Sequence, residues 1–135
     1  MRILVVGSGG VGDAVARIAV RRGFFDRLVL ADYDLARAER TVAAAAAQPG
    51  ALRPERLVAA RVDASSAQAV AELAGEHGIT HVLNAVDPRF VMPVFEGAFA
   101  AGADYLDVAM SLSTAPADDP CAKVGVKLGG RELAP

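Results

Sequence analysis

Three glycines and one aspartate carry the clearest chemistry in this sequence. Gly7, Gly9 and Gly12 stand in the spacing G-x-G-x-x-G, and Asp32 follows twenty residues after the last of them. The apolar run Ile3-Leu4-Val5-Val6 leads into the glycines, an amphipathic stretch leads out, and a second apolar run, Leu28-Val29-Leu30-Ala31, ends on Asp32. That order reads strand, turn, helix, strand, acid. In it Gly7 lets the chain turn sharply, Gly9 lets backbone approach a pyrophosphate closely, and Gly12 lets the helix pack tightly on the sheet. The N–H groups at the helix start hold a diphosphate without a lysine. A carboxylate at Asp32 accepts hydrogen bonds from the adenosine ribose hydroxyls. The pattern therefore points to a dinucleotide of the NAD type. Val11-Gly12-Asp13 stands where Gly-Lys-Ser/Thr of a Walker motif would be, which argues against ATP or GTP hydrolysis. Asp32 and Asp34 repel a 2′-phosphate and favour NAD; Arg37, nearby in sequence, favours NADP. NAD is the expected cofactor, with NADP as the alternative.

The elements that position these residues continue to alternate. Val11, Val15, Ile18 and Ala19 form an apolar stripe on the first helix, with Gly23 placed to cap it. Asp34 is the expected N-cap of a second helix through Leu35, Ala38, Val42 and the alanine run 43–47. Residues 56–62 read as a third strand ending at Asp63. Ser65-Ser66-Ala67-Gln68 has a capping-box spacing before a third helix that presents Val70, Leu73 and Ala74 and ends near Gly78. Residues 80–86 make a fourth strand and its exit. Pro93 suits the first turn of a fourth helix, with Val94, Phe95, Ala98 and Phe99 on its inner face, and Gly102 closes it. Residues 103–108 give a fifth strand. Short apolar strands alternating with helices predict an α/β, Rossmann-type, doubly wound parallel sheet with helices on both faces. Ligands in such sheets lie at the carboxyl ends of the strands. The expected cofactor contacts are thus Gly7, Ser8, Gly9, Gly10, Val11 and Gly12 in the turn, Asp32 and Tyr33 after the second strand, Asp63 and Ala64 after the third, and Asn84, Ala85 and Val86 after the fourth. Asp107 ends the fifth strand on the same rim.

Other classes find little support. At 135 residues the chain fits one domain; 53% of it is apolar, which argues against disorder. A net charge of −2 carries no nucleic-acid signature, and no apolar run approaches a membrane span. Cys121 is the single cysteine, so no internal disulfide forms and a reducing cytoplasm is the expected home. The Ala/Arg-rich composition fits a GC-rich bacterial genome. His77 and His81 read as structural or solvated, and nothing near them completes a metal site. Residues 111–135 read as an irregular polar tail, the start of a linker to a further domain. No sixth strand is evident, so the sheet is expected to be cut before its last strand, leaving an exposed edge open to homo-oligomer formation.

Residues 1–110 resemble the NAD(P)-binding domain of the saccharopine dehydrogenase-like family. The resemblance rests on Ile3–Gly12, on Val29-Leu30-Ala31-Asp32, on Val58–Asp63, and most specifically on Val82-Leu83-Asn84-Ala85-Val86-Asp87-Pro88 with Ala101-Gly102-Ala103-Asp104-Tyr105-Leu106-Asp107. It implies an oxidoreductase acting on C–N bonds of amino acids or polyamines, with the catalytic residues in a separate domain and no activity in this chain alone. Two rival readings differ in class. A regulatory nucleotide sensor of the potassium-transport type shares this size and opening motif, and a nucleotide-free interaction domain shares the fold.

Overall fold

The computed structural model describes residues 1–108; the expected tail at 111–135, with Cys121, lies outside the described residues. Five parallel strands run β1 (Arg2–Val6), β2 (Arg27–Asp32), β3 (Leu57–Arg61), β4 (His81–Asn84) and β5 (Asp104–Asp107), in the spatial order β3-β2-β1-β4-β5. Four α-helices make the connections: α1 (Gly10–Ala19), α2 (Leu35–Ala46), α3 (Ala67–His77) and α4 (Val91–Ala100). Single 3₁₀ turns at Pro54–Arg56 and Pro88–Phe90 precede β3 and α4. This is the expected doubly wound α/β sheet, and the order reverses between β1 and β4.

The apolar runs form strands because both of their faces are covered. Leu4 and Val6 pack with Val29, Ala31, Val82 and the buried sides of α3 and α4. Val5 turns the other way and meets Ala16, Leu28 and Leu30 beneath α1 and α2. Each such buried Val or Leu contributes roughly 1.5–3 kcal/mol relative to exposure.

Several expectations shift in detail. The buried face of α1 is Gly12, Ala16 and Ala19, not the larger stripe; Val11 and Ile18 are exposed. Small residues win that face because the helix lies close against β1 and the glycine turn. The cap of α1 is Val20, so Gly23 stands beyond the helix. Ser66 rather than Ser65 caps α3, accepting from the Ala69 N–H at 3.1 Å, while Ser65 folds back on Asp63. On α4 the buried residues are Val91, Val94, Gly97 and Ala98; Phe99 is exposed. Asp34 caps α2 as expected, accepting from Ala36 N–H at 3.0 Å, and Gly78 ends α3 in the left-handed region at φ +58°.

Candidate functional site

The carboxyl ends of β1, β2, β3 and β4 converge on one rim, and the glycine turn is stitched into its centre. The Gly7 N–H donates to Ala31 O at 2.7 Å, Ala85 N–H to Val6 O at 2.8 Å, and Val62 N–H to Asp32 O at 3.0 Å. Gly7 adopts φ +103°, and a Cβ there would lie 2.7 Å from Val86 Cγ1 and 2.8 Å from Ala85 O. A Cβ on Gly12 would collide with the Gly7 carbonyl oxygen. These two glycines therefore let turn, helix and β4 exit pack against one another. Gly9 and Gly10 differ: a Cβ on either meets nothing within 4 Å. They face open space at the start of α1, whose N-cap, Gly9, offers no side-chain acceptor. The first N–H groups of a helix have no intrahelical partner, so this end presents donors and a positive dipole to that space. The residues fit a diphosphate there.

Beside the turn lies a cleft of about 200 Å³. Its walls are Val6, Gly7, Val62, Ala64, Val86 and Phe90, and its mouth carries Asp32, Tyr33, Arg37, Asp63 and Ser65. The apolar walls and polar mouth suit a nucleoside. The structure thus gathers Gly7, Asp32, Tyr33, Asp63, Ala64 and Val86 around one cavity, next to Ser8, Gly9, Gly10, Val11 and Gly12.

Asp32 lies buried at the end of β2. Its side chain is only 8% exposed, and both oxygens are engaged. Oδ2 accepts the Ser8 N–H at 2.9 Å, and Oδ1 accepts the Asp34 N–H at 3.0 Å and faces Arg37 Nη1 at 3.4 Å. Asp63 is fully exposed, with Oδ1 accepting from both N–H and Oγ of Ser65; those bonds hold its pKa below the usual carboxylate range. Asn84 is 1% exposed. Its Oδ1 accepts the Val86 N–H at 3.1 Å, and its Nδ2 donates to the Tyr105 hydroxyl at 3.0 Å. The amide holds the Ala85-Val86 turn from below. Tyr105, half-buried, has its phenol pKa pushed up to about 12, chiefly by burial. Ser8 Oγ is buried without a partner among the described residues.

Sequence reasoning missed three residues at this site. Phe90 reaches the cleft from a 3₁₀ turn, Arg61 comes from the end of β3, and Tyr105 supports Asn84 across twenty-one residues of sequence. Only Arg61 had an accessible signal, as a cation two residues before Asp63. Among the described residues no cluster of His, Cys, Asp and Glu suits a metal ion, and no helix is long and apolar enough to cross a membrane.

A doubly wound sheet with an open glycine turn at its switch point defines the dinucleotide-binding class of α/β domain. The chain belongs to the family described as the saccharopine dehydrogenase NADP binding domain, whose model matches residues 3–126. Its fold is similar to saccharopine dehydrogenase (L-Glu forming) from Saccharomyces cerevisiae, with a TM-score of 0.61 at 18% identity over 80% of this chain and 21% of that one. It is also similar to menthone neomenthol reductase from Mentha piperita (TM-score 0.51, 20% identity, 63% of this chain and 31% of that one). Quinate dehydrogenase from Corynebacterium glutamicum in complex with NAD gives a TM-score of 0.50 at 23% identity, over 78% of this chain and 43% of that one. The chain spans about a fifth of the length of the yeast enzyme. It is an NAD(P)-binding domain of the dehydrogenase type.

Proposed function

We propose that this chain is the cofactor-binding part of an oxidoreductase that makes or breaks the C–N bond of a secondary amine. The substrate would join an amino acid or polyamine to a carbonyl compound. The observation that carries the cofactor half of this reading is the open flank of Gly9 at the uncapped start of α1, adjoining a cleft of nucleoside size. The C–N half is supported by family membership.

The chemistry that a nicotinamide dinucleotide would supply there is the transfer of a hydride to or from the carbon of that bond. The N–H groups of Gly10, Val11 and Gly12 would hold the diphosphate, aided by the α1 dipole. Val62, Ala64, Val86 and Phe90 line the cleft and would exclude water from the faces of an adenine held there. Asn84, held by Tyr105, keeps the Ala85-Val86 turn against Gly7 and so fixes that wall of the cleft. We assign no catalytic acid or base within the chain, and expect it to bind cofactor without turning over substrate.

Titration of the 135-residue chain with NADH and NADPH, followed by cofactor fluorescence, tests the first half; micromolar to submillimolar binding is expected, and silence for both cofactors sinks the reading. For the second half, a polypeptide joining this domain to its continuation should reduce NAD(P)⁺ with saccharopine or a related secondary amine. Reduction with simple alcohols and not with any such amine would move the enzyme to another class.

A further inference from the structure

The crossovers leave one part of the sheet uncovered. The steps from β1 to β2 to β3 run in one direction along the sheet, and right-handed connections put α1 and α2 on one face. The steps from β3 to β4 and from β4 to β5 run the other way and put α3 and α4 on the opposite face. Among the described residues, β5 and the outer flank of β4 therefore receive no crossover helix on the α1 side. A groove of about 280 Å³ opens there, floored by Ile3, Leu83 and Leu106 and flanked by Val15, Ala19 and Phe24. Leu106 and Phe24 each expose more than half of their surface. Polar groups gather at the amino ends of the strands, where His81 Nε2 faces Asp104 Oδ2 at 3.4 Å and the Asp104 side chain is 85% exposed. An apolar patch with a polar rim marks a contact surface.

The chain carries a segment that matches this groove. Just past β5, the Val108 N–H donates to Asn84 O at 3.3 Å, at the carboxyl end of the sheet. The family match continues to residue 126, so residues 109–126 belong to the matched domain. Within the polar tail, Val124, Val126 and Leu128 alternate with Lys123, Gly125 and Lys127. In an extended chain that alternation puts three aliphatic side chains on one side, and the central glycine disfavours a helix. The way back from Val108 to the level of Asp104 is about 13 Å at strand rise, well within the reach of residues 109–122. Pro116, Asp118, Asp119 and Pro120 are residues that reverse a chain. The groove takes apolar side chains and its exposed Asp104 takes a cation, which a long lysine stem carries to the rim. A tethered segment also meets the groove at an effective concentration on the order of millimolar, whereas a second copy must lose its whole translational and rotational freedom.

We infer that residues 123–128 dock in extended form over this groove, with Val124, Val126 and Leu128 against Leu83, Leu106 and Phe24. The docked segment covers the open side of β4 and β5. It also holds the connection 109–122 at both ends, beside the part of the rim that Asn84 and Val108 form. The inference needs only the fold and stands apart from the cofactor reading.

Cys121, the single cysteine, offers a natural probe position two residues before the segment. A nitroxide attached to Cys121 of the 135-residue chain, with isotope-labelled amides read by NMR, tests the docking. The amide signals of Phe24, Leu83 and Leu106 should lose more than half of their intensity relative to the reduced nitroxide. Those of Leu57 and Ala60, in β3 at the opposite edge of the sheet, should keep theirs. Val126→Asp combined with Leu128→Asp should restore the groove signals. So should Leu106→Asp, a change at an exposed position that leaves the buried core intact. Equal losses in parent and variants, or no loss at the groove, would overturn the inference. A mixture of isotope-labelled chains without nitroxide and unlabelled chains carrying it reads contact between copies. Groove signals at full intensity are expected there; losses as large as in the doubly labelled chain would assign the groove to a second copy and overturn docking within one chain.

Discussion

In the proposed site, Gly9 and Gly12 should separate binding from folding at single positions. Alanine at Gly12 drives a methyl into the Gly7 carbonyl oxygen, and overpacking of this kind costs about 1–3 kcal/mol. Gly9 has φ −75° and empty space where a Cβ would stand, so alanine there fits the free fold. We expect Gly9→Ala to melt within a degree or two of the parent and to bind cofactor at least about tenfold more weakly, since its methyl fills the diphosphate cradle. Thermal melts paired with cofactor titrations check this; a Gly9→Ala chain that binds normally would remove the cradle from the site. Tyr105 gives a second residue-scale prediction. Its folded pKa is raised to about 12 from 10.0, so the neutral phenol is the form that the fold favours. Its contribution is whole below about pH 10 and is lost as pH rises through about 12. Tyr105→Phe should be less stable by about 1 kcal/mol at neutral pH, from the lost bond to Asn84, and should lose less stability between pH 9 and 11. Denaturant titrations across that range decide it; parallel alkaline limbs would refute the assignment. The packing tasks of Gly7 and Gly12 were legible in the sequence because a fixed spacing implies a fixed turn. The burial of Asn84 was not, because it depends on a tyrosine that only the β4–β5 register brings near.

Elements show the same division between what is local and what is not. The Asp34 cap of α2 and the Gly78 stop of α3 follow from near neighbours and were readable. Which face of a helix is buried depends on how closely its neighbour approaches. On α1 the periodicity of the large residues pointed to Val11 and Ile18, yet close packing against the sheet selects Gly12, Ala16 and Ala19. The α3–α4 contact follows the same rule. A Cβ on Gly97 would lie 2.6 Å from Val70 Cβ and 2.7 Å from Ala67 O, so this glycine is where the two helices touch. Gly97→Ala gains helix propensity, about 1 kcal/mol, but forces the helices apart; we expect a net loss of stability of about 1–2 kcal/mol. A rise in melting temperature would show that the pair separates freely. At the other end of α3, Ser66→Ala should cost about 1 kcal/mol and Ser65→Ala much less, because only Ser66 accepts a helix N–H. Equal effects in chemical denaturation would restore the capping box read from Ser65 and Gln68.

Across the whole molecule, the four strand ends that make the rim also hold the sheet together, so cofactor binding and folding are linked. The glycine turn contacts β2 through Asp32, β4 through Ala85 and Val86, and α2 through Thr41, whose hydroxyl faces Ser8 O at 3.5 Å. A dinucleotide bridging the turn and the cleft therefore joins elements from both halves of the sheet and binds only when they are assembled. At a free concentration of about 100 times Kd, such a ligand stabilises the folded state by about 2.7 kcal/mol. For a domain of this size that is a rise in melting temperature on the order of 10 °C. The parent chain should show this rise with NADPH. Gly9→Ala should show little of it at the same concentration, though its unliganded melting point is unchanged. Asp32→Ala should differ from both. Losing the latch between Ser8 and β2 lowers the unliganded melting point and reduces the ligand-induced rise, because the ligand must then also order the turn it binds. If Asp32→Ala kept the full rise while melting lower, the turn would be preformed without its carboxylate, and the coupling between rim and sheet would have to run through Gly7 and the Thr41–Ser8 contact.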